Sequence, residues 1–339
     1  MPERIKTRPD LPSLFKLKRT MSFYRPTLKR ILLPAALLAF ISLADAMAQG
    51  IPQRPPSQRR YQHGMSSNGA RVADGYYRLG VENLRDPSNS DRAVEHLERA
   101  VDLDETNAEY HYMLAEAYMA NYQFAGIVRM PFIAPKVKNH LELAVKYSPQ
   151  TIEYREALVQ YYAMAPAILG GSYQRAYDQA NEIAKLDPYL GLLARAGIYA
   201  EEGEGEKALA AYAKAMKMRP GAWQAYRRLG DHYLSLQEID QAIEMFKQYV
   251  GVAPDHAESH HFLGRAYQQK RMYEEAIASF QRALEKDPSI TPLVFRIAQL
   301  YEFQGNQRQA REYYQRYLSM VPSGRAADDA RFKIKALPQ

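Results

Sequence analysis

The chain has 339 residues, 47% of them hydrophobic and 24% charged, which is globular composition and enough length for a large core. It has no cysteine, which excludes disulfides, thiolate catalysis, iron–sulfur clusters and cysteine zinc sites. The formal charge of +7 points toward nucleic acid, but residues 1–48 hold nine of the 45 Lys/Arg and three of the 38 acids; the remaining 36 basic and 35 acidic side chains leave a near-neutral body with no strong pull on a phosphate backbone.

The N-terminus has the layout of an export signal. Arg25, Lys29 and Arg30 precede the apolar run Ile31–Leu43, and small residues follow, with Ala46-Met47-Ala48 placing cleavage after Ala48 and Ala44-Asp45-Ala46 offering a second frame. Retention as an inner-membrane anchor is the other reading. The run is short for a span of about 20 apolar residues, and Pro34 and Asp45 weaken it. Met21 is an alternative translation start. With no cysteine after the signal there is no lipid attachment, and an exported cysteine-free chain suits a bacterial periplasm or secretion. Residues 49–70, rich in Pro, Ser, Gln, Arg and Gly and without periodicity, read as a flexible linker.

From there on the sequence repeats. Pro220, Pro254, Pro288 and Pro322 are 34 residues apart, each preceded by twelve residues by Ala208, Ala242, Ala276 or Ala310, and those alanines by nine residues by Tyr199, Tyr233, Tyr267 or Tyr301. Such a period is the mark of a stacked helical repeat. In one unit Tyr226, Leu229, Tyr233 and Leu236 have helical spacing, Ile243, Phe246 and Tyr249 follow on a second helix, and Pro254 ends it. Gly230, inside the first helix, costs about 1 kcal/mol. The expected compensation is close approach of the second helix, with Ala242 against the glycine.

These positions resemble the tetratricopeptide repeat: Tyr226, Leu229, Gly230, Tyr233, Ala242, Phe246, Tyr249 and Pro254, then His260, Leu263, Gly264, Tyr267, Ala276, Phe280, Ala283 and Pro288. Val294, Ile297, Ala298, Tyr301, Ala310, Tyr314, Tyr317 and Pro322 form a third match, and Leu192, Ala196, Tyr199, Ala208, Tyr212, Ala215 and Pro220 precede them. Looser units begin near Ala73, Ala108 and Leu158. The resemblance implies an all-α, right-handed α-solenoid of antiparallel helix pairs. About seven units are expected over residues 71–324, with enlarged turns near 121–137 and 164–171 and a capping helix or tail at 325–339. The pairing of these two turns is similar to that in exported bacterial repeat proteins.

The first enlarged turn contains Phe124, Ile127, Met130, Phe132 and Ile133, too apolar for an ordinary loop. Either both helices extend and pack at their tips, or the segment contacts a partner or membrane. The second holds Pro166 and Gly170-Gly171, which fit a tight turn and, lacking a following Lys-Ser/Thr, no phosphate loop. The two are expected to project together as a wall on one rim.

No catalytic pattern occurs. His256, His260 and His261 lack a third ligand at zinc spacing, and His260 takes a core position of its repeat. Nucleophile-elbow, Rossmann and Walker patterns are absent, and acidic pairs such as Glu274-Glu275 fit solvated faces. No enzyme, cofactor or metal is expected.

The resemblance implies a concave binding face lined by first-helix residues: Gln224, Arg227, Asp231, Glu258, His261, Arg265, Gln268, Phe295, Gln299 and Glu302, with Glu109, Tyr112, Glu116 and Met119 upstream. Only Arg227 and Arg265 resemble the family's carboxylate clamp, whose asparagines are absent, so an extended peptide or protein segment is the expected ligand rather than a free C-terminus. The function expected is a non-catalytic interaction scaffold or adaptor in the bacterial cell envelope. The alternatives are an assembly or secretion factor for outer-membrane or polysaccharide machinery, touching membrane through the enlarged turns, and an unrecognised peptidoglycan-directed enzyme.

Overall fold

A computed structural model describes residues 67–84, 89–125 and 130–337. The expected signal peptide and residues 49–66 of the linker lie outside the described residues. Seven antiparallel helix pairs follow one another: α1 (Ser67–Asn83) with α2 (Ser90–Leu103), α3 (Ala108–Ala125) with α4 (Met130–Tyr147), α5 (Ile152–Met164) with α6 (Tyr173–Leu186), and α7 (Pro188–Glu201) with α8 (Gly205–Met218). Then come α9 (Trp223–Ser235) with α10 (Ile239–Val252), α11 (Ala257–Gln269) with α12 (Tyr273–Lys286), and α13 (Thr291–Phe303) with α14 (Gln307–Met320). The last helix, α15 (Arg325–Ala336), packs on α14. Each pair contacts its neighbours in sequence, so this is an all-α solenoid. Among the described residues no helix is long and apolar enough to cross a membrane.

The expectation that Ala242 faces Gly230 is corrected. A Cβ on Gly230 would meet the Phe246 ring at 2.5 Å, and one on Gly264 would meet the Phe280 ring at 2.6 Å. In the first pair Leu97 lies 2.5 Å from the equivalent point on Gly80. The ring one turn further along the second helix is large enough to lie on the glycine backbone, where alanine leaves a gap. Leu229 and Leu263, one residue before each glycine, are buried between pairs, whereas their counterpart Leu79 in α1 is 45% exposed.

The turns within units carry a second 34-residue period. Gly203, Gln237, Arg271 and Gly305 all have positive φ, between 60° and 79°. The next amide in each case donates back to the carbonyl of the repeating tyrosine: Glu204 to Tyr199, Glu238 to Tyr233, Met272 to Tyr267 and Asn306 to Tyr301, at 2.8–2.9 Å. This closes the first helix of each unit with a left-handed cap.

Between α6 and α7 a single residue, Asp187, replaces the usual turn. It accepts hydrogen bonds from the Tyr189 and Leu190 amides (2.9 and 3.3 Å), with Pro188 as the first helical residue. Arg219 forks onto its carboxylate at 2.9 and 3.0 Å. The shortened turn accounts for the 32-residue interval from Pro188 to Pro220. Burial works against the Asp187 charge, but Arg219 and the helix amides outweigh it and hold the carboxyl below its ordinary range. The Tyr189 hydroxyl, fully buried, accepts the Ala225 amide at 3.2 Å and so caps α9, whose own N-cap residue Ala222 has no side chain to do it.

The extra residues of the second unit mostly lengthen its helices. Residues 121–125 belong to α3 and 130–137 to α4, and residues 126–129, with the Ile127 of the expected turn, lie outside the described residues. In the third unit a 3-10 turn (Ala167–Leu169) leads to Gly170, at φ +92°, and Gly171, whose Cβ would strike the Ala165 carbonyl oxygen at 1.7 Å. The two regions touch. The buried Tyr161 hydroxyl donates toward the Leu169 and Ala134 carbonyls at 2.7 and 2.9 Å, and the Lys138 stem lies over Gly170. One expectation shifts at the N-terminal end: Ser67–Ala70, read as linker, form the first turn of α1. At the other end the tail forms a helix that buries Ala327 and Ala330, while Phe332 points outward, 67% exposed.

Gly230→Ala is expected to lower stability by about 1–3 kcal/mol through overpacking against Phe246, despite the better helix propensity of alanine. Gly197→Ala in α7, whose Cβ meets nothing within 4 Å, is expected to raise it by up to ~1 kcal/mol. Urea unfolding followed by circular dichroism measures both, and equal effects of the two would refute the glycine–ring account. Asp187→Ala should cost about 1–2 kcal/mol at pH 7 through the lost cap. Because the folded carboxyl titrates low, that stabilisation is full above the ordinary aspartate pKa of about 3.9 and vanishes as pH falls through the depressed value. A gap between wild type and variant that persists at pH 2 would contradict it.

Candidate binding face

The first helices of successive pairs adjoin one another and present one continuous face. Its curvature is visible in one contact: Arg228 on α9 donates to Glu156 on α5 at 2.7 Å, 72 residues away and across the intervening α7. Burial lowers the tendency of Arg228 to hold its proton, but the Glu156 carboxylate more than reverses this.

On α9, Arg227 pairs with Asp231 at 3.2 Å, one turn along the same helix, and the Gln224 side-chain oxygen is buried with no hydrogen-bond partner. Burial raises the Asp231 carboxyl, opposed by Arg227, Arg265 and Arg228. On α11, the Arg227 and Arg265 guanidinium groups both stand 5.5 Å from the Phe262 ring centroid, which itself stacks on Phe246. Glu258 is half-buried beside them, and Gln268 accepts from Arg296 of α13 at 3.4 Å.

Three sequence-selected residues are used by the fold itself. His261 is only 7% exposed, packed on Phe262 and Phe280; burial, then Arg265 and Arg296, push its pKa down to about 3, so the ring is neutral. Phe295 sets its ring edge-on to Tyr314 and Tyr317. Glu302 accepts from the Tyr314 hydroxyl (2.7 Å) and the Lys333 ammonium (3.0 Å), which ties α15 down; these two bonds overcome the opposing effect of burial and hold its carboxyl low. Gln299 is exposed. His260 is buried with Nε2 3.1 Å from the Pro254 carbonyl, as a packed core residue. In the first enlarged region, Met130 is half-buried, Ile133 packs against the core and Phe132 is 76% exposed, while the Phe124 side chain lies outside the described residues.

Upstream the same face is acidic. Glu109 accepts from the Tyr77 and Tyr154 hydroxyls at 3.1 and 2.8 Å, joining α1, α3 and α5, and Tyr112 lies against Tyr154. Met119 is half-buried. Glu116 is pushed up to about 7 by burial first and by the neighbouring Glu153 second. Its surface is partly open to water, so the burial is that of a deep trough rather than of a dry core. Sequence reading missed Glu153, Glu156, Arg228 and Arg296. A signal existed: Arg228, Phe262 and Arg296 share one repeat position, 34 residues apart, adjacent to the position that was followed.

An acid whose folded pKa is raised loses stability as pH climbs. The Glu116 contribution is therefore expected to fall from pH 5 to pH 8, while buried His261 and His140, with lowered pKa, act in the opposite direction below about pH 6.5; relative to wild type, Glu116→Gln should gain stability progressively as pH rises and be the more stable at pH 8. Unfolding midpoints at pH 5, 6.5 and 8 decide it, and an unchanged slope in the variant would count against the trough environment.

Family models described as tetratricopeptide repeat match residues 193–251, 224–289 and 293–323. Among curated proteins the chain is similar to "Superkiller complex protein 3" of Mus musculus (35% identity over 74 residues, 22% of this chain and 5% of that protein). It is similar also to "Anaphase-promoting complex subunit 6" of Arabidopsis thaliana (26% over 127 residues, 36% of this chain and 23% of that protein). The chain thus spans less than a quarter of the length of either. Among solved structures it is similar in fold to yeast Tom70, with TM-score 0.51, 14% identity, and coverage of 92% of this chain and 75% of that one.

Proposed function

We propose that this chain, a tetratricopeptide-repeat protein, is a protein–protein interaction scaffold that works without chemistry of its own in the bacterial cell envelope, holding an extended segment of a partner along the first-helix face. The observation that carries this reading is the charge division of that face. Arg227 and Arg265 stand over Phe262, with Arg228 beside Asp231 on α9 and Arg296 near His261, so four arginines outnumber Asp231 and Glu258 there, while Glu109, Glu116 and Glu153 surround Tyr112 on α3 and α5. Arginine and aromatic side chains are the usual anchors of interfaces. A face with opposite charges at its two ends favours a segment of matching polarity and sets its direction. The ligand is thus a peptide stretch with acidic side chains meeting the arginines and basic ones meeting the glutamates. The envelope placement rests on Arg25–Ala48, read as an export signal with cleavage after Ala48.

Crosslinking in intact bacteria, from a photoreactive residue at Gln299, is expected to capture a partner that Arg227→Glu/Arg265→Glu no longer captures, with helicity unchanged by circular dichroism. Equal capture by the double variant would remove the arginine end from the binding face. Fractionation with N-terminal sequencing should find a periplasmic or secreted chain beginning at Gln49; an uncleaved cytoplasmic chain would remove the envelope assignment.

A further inference from the structure

We propose that the joined enlargement of the second and third units is a membrane-seating tip that takes an anionic phospholipid surface. Two segments distant in sequence meet there, held by the Tyr161 hydroxyl between the Ala134 and Leu169 carbonyls and by Lys138 over Gly170. Each segment turns one large apolar side chain outward: Phe132 is 76% exposed and Ile168 is 92% exposed. They stand on structure that commits backbone to keep them there. Gly171 sits so close to the Ala165 carbonyl that no Cβ fits, and Gly170 takes a left-handed conformation. An aromatic side chain on the first turn of α4 and a branched aliphatic one on the adjoining 3-10 turn suit insertion at the acyl–headgroup boundary.

The charge at this edge selects the occupant. Residues 130–141 and 163–175 contain Lys136, Lys138 and Arg175 and not one acid, in a body whose basic and acidic residues otherwise nearly cancel. Lys136 donates to the Tyr118 hydroxyl at 3.2 Å and Arg175 lies over the Tyr162 ring, which hold both side chains in place without cancelling their charge; their carboxylate partners, Glu98 at 3.8 Å and Glu142 at 3.7 Å, are partly exposed, where such pairs contribute little. A cationic rim beneath apolar side chains matches an anionic bilayer, since cations near such a surface each strengthen binding about five-fold. This surface is independent of the first-helix face. Seated on a membrane through the tip, the protein keeps that face available for a partner.

The absence of cysteine makes the test specific to position. The full chain carrying Ile168→Cys, labelled with an environment-sensitive fluorophore, is titrated with vesicles of phosphatidylcholine alone or with one-third phosphatidylglycerol. The same label at Lys217→Cys, exposed on α8, is the reference. The expected result is a blue shift at position 168 on the anionic vesicles only, none at 217, and vesicle affinity of that response reduced more than ten-fold by Lys136→Gln/Lys138→Gln or by 0.5 M salt. No shift at 168, with or without the chain bound to vesicles, overturns the proposal. So does an equal shift on the neutral vesicles, equal shifts at 168 and 217, or a response at 168 to a protein partner and not to lipid. Because position 168 reports on itself, binding through the apolar leader cannot imitate the expected outcome, and failure here leaves the crosslinking result at Gln299 untouched.

Discussion

A phenyl ring lying on a glycine sets the distance between the two helices of a unit, and most of the architecture depends on that distance. Gly230 under Phe246 and Gly264 under Phe280 bring backbone and ring together where a single methyl would not fit. With the separation set, the alanines at 242 and 276 are sealed, and Leu229 and Leu263 are buried between pairs. Elsewhere the same volume is divided differently. Ala196 with Tyr212 and Ala298 with Tyr314 keep the small-plus-large arrangement, whereas in the third unit Val159 takes the glycine position and Ala180 the ring position, so the bulk changes sides. Close packing constrains the sum across the pair more tightly than either residue.

Departures from the period mark where the solenoid is bent to other purposes. A turn reduced to Asp187 brings α7 hard against α6, where a Cβ on Gly191 would overlap Ala184. Across α7, Arg228 of α9 reaches Glu156 of α5. Shortened turn and long-range ion pair both involve α7. Immediately before it, the lengthened helices of the second unit and the glycine turn of the third close on each other through Tyr161. Bend and protrusion are thus neighbours, built from the looser units.

The electrostatics of the first-helix face follow from this curvature. On a straight array Glu156 and Arg228 are two units apart and each is solvated. Drawn together they are mostly shielded from water; along the same face burial and Glu153 lift the Glu116 carboxyl, and burial with Arg265 and Arg296 keeps His261 neutral. Charges on such a face act as a field across a trough rather than as separate surface groups.

The sequence by itself determined that the chain is a stack of helix pairs and their phase, because both follow from residues a fixed distance apart: proline that cannot continue a helix, tyrosine nine residues before alanine across the turn, glycine where backbone must approach. It also held, unread, the left-handed turn period at Gly203 and Gly305, masked by Gln237 and Arg271 in the two intervening turns. Tertiary structure alone decided which ring meets Gly230, that His261 and Phe295 pack on neighbouring rings while Glu302 holds Tyr314 and Lys333, and that Arg228 bridges to Glu156. Those outcomes depend on how far each unit rotates against the next. That rotation is summed over many interfaces, no one of which appears in the spacing of residues along the chain.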